Sequence, residues 1–354
     1  MISSHPEWPT YKAAPIRGNW LQRWWKSRFR FVDYPFLLAY RGFGSPRKAY
    51  VQGHVCRGMA LHRPRTKQSA WKNFWALVKL YLVRTVPKAE VVLTFEGQRY
   101  VTETNQRGFF EFTIVPGAMR PGWHTCHLEL RSTLVEGQEV VEVETEVLIA
   151  EEFPFGLISD VDDTFLVSHV TKRTRKLYTL LTKNARTRRP VEGVVDFYRA
   201  LTRVEHGRPN PMFYVSSSEW NLYEFLVNFT KWNHLPKGVL QLKRIKNSPL
   251  DFLRSGFGSH EHKYDKMMKV LELFPDRQFI LIGDNGQHDP QLYLRAVRQY
   301  RDQIKGVYIR GVKRSHREAV DKLLVEVTEA GIPALQFVHV REALTHARQQ
   351  GWIE

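Results

Sequence analysis

The sequence predicts an α/β chain in two parts, a β-sandwich-like region followed by a largely parallel sheet covered by helices. Residues 49–152 carry short alternating apolar runs separated by Gly and Pro, which is the spacing of sandwich strands. From Phe153 onward the apolar runs alternate with helical patterns, which builds a parallel sheet. Two of those later runs end abruptly in acids: Gly156-Leu157-Ile158-Ser159-Asp160, and Phe279-Ile280-Leu281-Ile282-Gly283-Asp284. Ligand sites of open α/β sheets lie at the carboxyl ends of strands, so both endings are site candidates.

Taken in order, residues 1–48 read as a basic, aromatic N-terminal arm. Within it, residues 17–32 pattern as an amphipathic helix, with Trp20, Leu21, Trp24 and Trp25 on one face and Arg23, Lys26 and Arg30 on the other. Such a face either packs on the protein or lies in a membrane interface. Strands are expected near 49–55, 89–95, 98–104, 108–115, 124–130 and 140–149, with a helix over 69–84 between the first two. The parallel-sheet domain is then expected over 153–354. It has strands near 212–215, 278–283, 306–311 and 334–340, and helices near 192–203, 219–232, 261–273, 315–330 and 341–350.

The 354 residues carry a net charge of +17, unevenly spread. Residues 1–90 hold 17 Lys and Arg against three acids, and residues 172–189 hold eight with no acid. Such blocks imply an anionic partner, either a phospholipid surface or, as the rival, nucleic acid. No apolar run approaches the roughly 18 residues of a membrane span, and Met1–Thr10 lacks the apolar core of a signal peptide. The expectation is a cytoplasmic protein, held peripherally at a membrane. Two cysteines, Cys56 and Cys126, fit a reducing compartment, with one bridge between them as the alternative.

Chemistry follows from the acids. Asp160 at a strand end can attack phosphorus, Asp162 two residues on can serve as general acid and then base, and Asp284 can complete an oxygen shell for a hard cation. Ser216, after the apolar run Met212–Val215, and Lys263, near a helix start, are suitably typed to hold phosphoryl oxygens.

Together these residues resemble the haloacid dehalogenase superfamily of phosphohydrolases over about residues 155–312. Its four motifs are matched by Asp160-Val161-Asp162-Asp163-Thr164, by Phe213-Tyr214-Val215-Ser216, by Lys263 (Lys266 and Lys269 being rivals), and by Gly283-Asp284 through Asp289. A closer resemblance is to the phosphatidate-phosphatase-like family associated in fungi with actin patches. It rests on Ser159 to Thr164, on Tyr214-Val215-Ser216-Ser217-Ser218-Glu219-Trp220, on Gly283-Asp284-Asn285-Gly286-Gln287-His288-Asp289-Pro290, and on the tail Gly351-Trp352-Ile353. Glu219 stands where that family often has proline.

The resemblance implies a Rossmann-like sheet of the haloacid dehalogenase type and makes Asp160 the nucleophile and Asp162 the general acid/base. It assigns Thr164, Ser216 and Lys263 to the phosphoryl group. It places Mg²⁺ on Asp160, the backbone carbonyl of Asp162 and Asp284, with Asp289 in support. Only 46 residues separate Ser216 from Lys263, and 27 separate Thr164 from Glu192. A folded cap needs at least about 50, so the site is expected to be uncapped or minimally capped and open to a large substrate. The activity expected is phosphatidate phosphatase at a membrane surface. Dephosphorylation of nucleic-acid ends or phosphoproteins, and a non-catalytic membrane scaffold, are the alternatives.

Overall fold

The computed structural model describes residues 34–58, 83–161, 192–203, 209–243 and 260–354. The chain divides at Glu151/Glu152 into two compact units. The amphipathic stretch 17–32, nearly all of the helix expected over 69–84, the basic run 172–189, Asp162 and Thr164 lie outside the described residues.

The first unit is β-rich. Its strands are β1 (Tyr34–Ala39), β2 (Gly42–Ser45), β3 (Lys48–Gly58), β4 (Arg84–Thr85), β5 (Glu90–Phe95), β6 (Gln98–Glu103), β7 (Phe109–Ile114), β8 (Gly122–Leu130) and β9 (Val141–Ile149). All six expected strands are present. Two differences stand out. Residues 34–45, read from sequence as arm, form β1 and β2 against β3; β1 is buried throughout and so shows no alternation, and Gly42 and Gly44 interrupt it in β2. Arg84, expected as the end of a helix, opens β4.

The two leaves of the expected sandwich are also joined into one nine-stranded sheet. β3 pairs antiparallel with β1, β2, β4 and β7, while β2 reaches across in parallel to β9. The sheet closes over one core in which Leu37, Val51, Phe110 and Phe112 meet Val91, Leu93, Leu128 and Val147. Alternation explains this on β9, where Val147 and Ile149 are buried and Glu142, Glu144 and Glu146 are not. Both cysteines are free and buried in this unit, which removes the alternative of a bridge.

The second unit is a six-stranded, all-parallel sheet: β10 (Gly156–Asp160), β11 (Met212–Glu219), β12 (Val239–Lys243), β13 (Phe279–Asp284), β14 (Ile304–Arg310) and β15 (Ala334–Phe337). Their spatial order is β12-β11-β10-β13-β14-β15. The helices are α1 (Val194–Thr202), α2 (Tyr223–Trp232), α3 (His260–Leu273), α4 (Asp289–Gln299), α5 (Arg317–Glu329) and α6 (Val340–Gln349). α1 packs with α6, while α4 packs with α3 and α5. Every residue of β10 and β13 is buried, as expected of central parallel strands covered on both faces.

β11 continues through Glu219, past the expected end at Val215. A bulge follows Val215, and a short 3₁₀ turn at Trp220–Leu222 delays α2. β12 was not expected. Its five residues, Val-Leu-Gln-Leu-Lys, are too few for a period to show. The tail closes the sheet from one side: Trp352 stacks edge-on to Tyr308 with ring centroids 5.9 Å apart. It fits because Gly306 has no side chain; a Cβ there would stand 2.2 Å from the Trp352 ring. Among the described residues, no helix is long and apolar enough to cross a membrane.

Candidate active site

The strand order reverses direction of growth between β10 and β13, the first and fourth strands of the sheet. Crevices form at such a switch point, outside the carboxyl ends of the strands. Asp160 is the last residue of β10 and Asp284 the last of β13, on strands that pair through Ser159 and Ile282. Asp289 opens α4, with Pro290 following at a position where a missing N–H costs nothing. One oxygen from each of these three carboxylates lies within 4.8 Å of the others, and all three residues are buried.

Lys263 on α3 supplies the countercharge. Its Nζ is 2.7 Å from Asp160 Oδ1 and 2.9 Å from Asp289 Oδ1, and it donates to Gln287 Oε1 at 3.3 Å. Lys263 is 5% exposed. Lys266 and Lys269, its rivals in the sequence, are part-exposed elsewhere on the helix. Helical phase decides between them, because only Lys263 projects with the buried positions Tyr264 and Met267 toward the sheet. Beneath this group, Ile158, Val215, Met267, Leu292 and Tyr293 line a small apolar void.

Ser216 is buried one residue past Val215, the register partner of Asp160, so it stands at the adjacent strand end. Its Oγ accepts the Ser218 N–H at 2.9 Å. Of the residues singled out in the sequence, the structure gathers Asp160, Asp284, Asp289 and Lys263 directly, and Ser216 on the neighbouring strand.

Several positioning residues carry no sequence signal of their own. Tyr198 of α1 is buried under the strand ends and donates to Ser159 Oγ at 2.6 Å, while Ser159 donates to the Asp160 carbonyl at 2.9 Å. Burial pushes the Tyr198 phenol well above its ordinary range, and the nearby Asp160 charge adds to this, so it stays a neutral donor. Tyr293 is similar: burial first, then the Asp289 charge, raises it, and its hydroxyl donates to the Ile282 carbonyl at 2.8 Å. Gly283 lets Asp289 approach the strand, since a Cβ there would come within 2.9 Å of the Asp289 side chain.

Asn285 ties two loops together. Its Oδ1 accepts the N–H groups of Val312 and Lys313, both at 2.7 Å. Its Nδ2 donates to the Lys313 carbonyl at 2.9 Å and to Gln336 Oε1 at 3.2 Å. The loop that carries Asp284 and Asp289 is thereby fastened to the loop after β14. A buried asparagine with every polar atom used is visible only in three dimensions.

Among the described residues, three buried carboxylates gather around the Lys263 ammonium. The donor set is all oxygen. Such a set could hold a metal ion, and its chemistry fits a hard divalent cation.

Comparison with known proteins adds to this geometry. Residues 155–311 match the family model of the phosphatidate phosphatase APP1 catalytic domain. The chain is 30% identical over 170 residues to phosphatidate phosphatase APP1 of Saccharomyces cerevisiae, covering 46% of this chain and 28% of that protein. It is 26% identical over 250 residues to an uncharacterized protein of Schizosaccharomyces pombe, covering 69% of this chain and 39% of that protein. The chain thus spans well under half the length of both curated relatives. Among solved structures, a carbohydrate acetylesterase from Xanthomonas citri overlaps with 86% of this chain and 68% of its own. Its TM-score of 0.28 and identity of 13% are too low to bear on fold or chemistry. The Asp160 strand, the Ser216 strand and the Asp284–Asp289 loop all lie inside the segment that is similar to the APP1 catalytic-domain family.

Proposed function

We propose that residues 155–311 form a Mg²⁺-dependent phosphoric monoester hydrolase that works through an aspartyl-phosphate, with phosphatidate at a membrane surface as substrate. The observation that carries this reading is the buried set Asp160, Asp284, Asp289 and Lys263 at the switch point of a parallel sheet. The family of the segment and the name of the budding-yeast relative support phosphatidate as substrate. The strand order and the short spans between motifs support a haloacid dehalogenase-type, minimally capped site. The excess of basic residues supports an anionic surface as partner.

In this reading Asp160, Asp284 and Asp289 hold the ion, with Asp162 contributing as the family resemblance implies. When bound, the ion offsets phosphoryl charge so that an anionic carboxylate can approach an anionic phosphate. The Asp160 carboxylate attacks phosphorus, the P–O bond to the alcohol breaks, and the departing oxygen takes a proton from Asp162. Water then attacks the aspartyl-phosphate and gives a proton to Asp162. Inorganic phosphate leaves and Asp160 is restored. Lys263 holds the Asp160 carboxylate in place and offsets its charge, while Ser216 and Thr164 hold phosphoryl oxygens.

The test is Mg²⁺-dependent phosphate release from phosphatidate in mixed micelles, for the parent chain and Asp160→Asn, with a 5′-phosphorylated oligonucleotide as competitor substrate. Release from the lipid that Asp160→Asn abolishes is expected. Release from the oligonucleotide alone would overturn the lipid assignment, and no release from either would overturn both assignments and leave a phosphoprotein or small-phosphate substrate or the non-catalytic scaffold.

A further inference from the structure

All six strands of the second unit are parallel, so the loops after β14 and β15 stand on the same edge of the sheet as Asp160 and Asp284. Those loops are firmly held. Asn285 accepts from Val312 and Lys313, the Gly311 N–H donates to the Phe337 carbonyl at 2.7 Å, and His316 Nδ1 donates to the Asn285 carbonyl at 2.7 Å. Lys313 Nζ caps the Gly286 carbonyl at 3.0 Å.

What this rigid rim shows to its surroundings is unusual. Val312 is 39% exposed and Val338 44%. The Val338 side chain lies beside Gly311, next to Val312, so the two valines are neighbours on adjoining loops. A single exposed valine calls for no explanation. Here, however, Arg314 and Arg317 follow Val312 and Arg341 follows Val338 closely in the chain, all three are exposed, and among the described residues none of their guanidinium groups has a hydrogen bond or ion pair.

The nearby acids are already committed. Glu318 pairs with Lys322 at 3.0 Å, Asp321 accepts from Gln336, and Glu342 accepts the N–H groups of Val338 and His339 at 3.3 Å. Arg314, Arg317, Arg341, Lys313 and Lys322 stand against these three acids, so the rim is apolar at its tip, net cationic around it, and fixed in shape. A nucleic acid would use the arginines and leave the valines in water. A bilayer with anionic head groups uses both.

We propose that the rim formed by residues 311–317 and 338–341 is the face through which this protein seats on an anionic lipid bilayer. The valines enter the head-group layer, the three arginines rest on lipid phosphates, and the Asp160 edge is turned toward the membrane. The catalytic consequence rests on the phosphatase reading, whereas the seating does not.

Two measurements separate these claims. In the full chain, Val312→Cys carries an environment-sensitive dye; Cys56 and Cys126 are buried and do not compete for the label. Vesicles of phosphatidylcholine with 20 mol% (roughly a physiological anionic fraction) phosphatidylserine are added. A blue shift of the emission that pure phosphatidylcholine does not give is expected, and no shift would overturn the proposal. Arg314→Gln with Arg317→Gln is expected to weaken vesicle binding about 25-fold, since each basic residue near an anionic surface contributes about a factor of five.

Val312→Asn with Val338→Asn is expected to lower phosphate release from vesicle-embedded phosphatidate by about ten-fold, an order-of-magnitude loss for withdrawing two apolar side chains. Release from a monomeric short-chain phosphatidate should be unchanged. Vesicle binding that survives the arginine changes, or equal loss on both substrates, would overturn the proposal. A blue shift in a chain that hydrolyses nothing would leave the seating standing and overturn only the enzyme.

Discussion

Replacing Lys263 by Met keeps most of the side-chain volume and removes the ammonium that pairs with Asp160 and Asp289. With Nζ 2.7 Å from Asp160 and 2.9 Å from Asp289, the gross attraction is about 6 kcal/mol for each pair at an effective dielectric constant near 20. Most of that offsets the desolvation of the ions. Taking one partner from a buried pair typically costs about 3–5 kcal/mol, because the remaining charge is left uncompensated. Domains are stable by about 5–15 kcal/mol, so the variant should still fold.

Two compact units make whole-chain melting ambiguous. Hydrogen exchange of the β10 and β13 amides, measured without divalent cation, reads the relevant unit alone. Exchange should accelerate roughly 150- to 5,000-fold, the range that about 3–5 kcal/mol implies. Adding Asp160→Asn to Lys263→Met should recover a large part of the loss, because the charge left unpaired is removed as well. A loss under about 1 kcal/mol in the single variant, or strictly additive losses in the pair, would refute the idea that Lys263 compensates these acids.

Other expectations can be checked as directly. Mg²⁺ at about 100 times its dissociation constant should protect the β13 amides by about 2.7 kcal/mol, and Asp284→Asn should abolish this protection. Asn285→Ala should cost about 2–4 kcal/mol, since four hydrogen bonds are lost and the part-buried N–H groups of Val312 and Lys313 lose their acceptor. It should also shift the Mg²⁺ titration of turnover to higher concentration, and an unshifted titration would show that the loop tie does not reach the carboxylates.

Gly306→Ala should destabilise by about 1–3 kcal/mol through overpacking against Trp352, and be nearly neutral beside Trp352→Leu in chemical denaturation. Burial pushes the Cys126 thiol up to about 12 and the Cys56 thiol higher still. A thiol reagent at pH 8 should find neither in the native chain and both in denaturant; rapid labelling of the folded protein would contradict their burial.

Elements whose signal is local were legible in the sequence. β10 and β13 are continuous apolar runs because both their faces are covered, and an acid at the end of such a run stands out in one dimension. β9 shows its alternation because one face meets the core and the other water. β1 was missed because it is buried throughout and shows no alternation, β2 because Gly42 and Gly44 break the period, and β12 because five residues are too few to show one.

Within the site, each acid alone would more often be a cap or a solvated turn, and it was the order of four motifs together that pointed to Asp160, Asp284 and Asp289. The tertiary structure decided what depends on distance between segments. It selected Lys263 from three lysines by the helical phase of α3, and it set β10 beside β13 so that two strand ends 124 residues apart became neighbours. It also made Asn285, Tyr198 and Ser159 a supporting frame. Hydrogen-bond partners and buried charge are properties of packing, and no stretch of chain carries them alone.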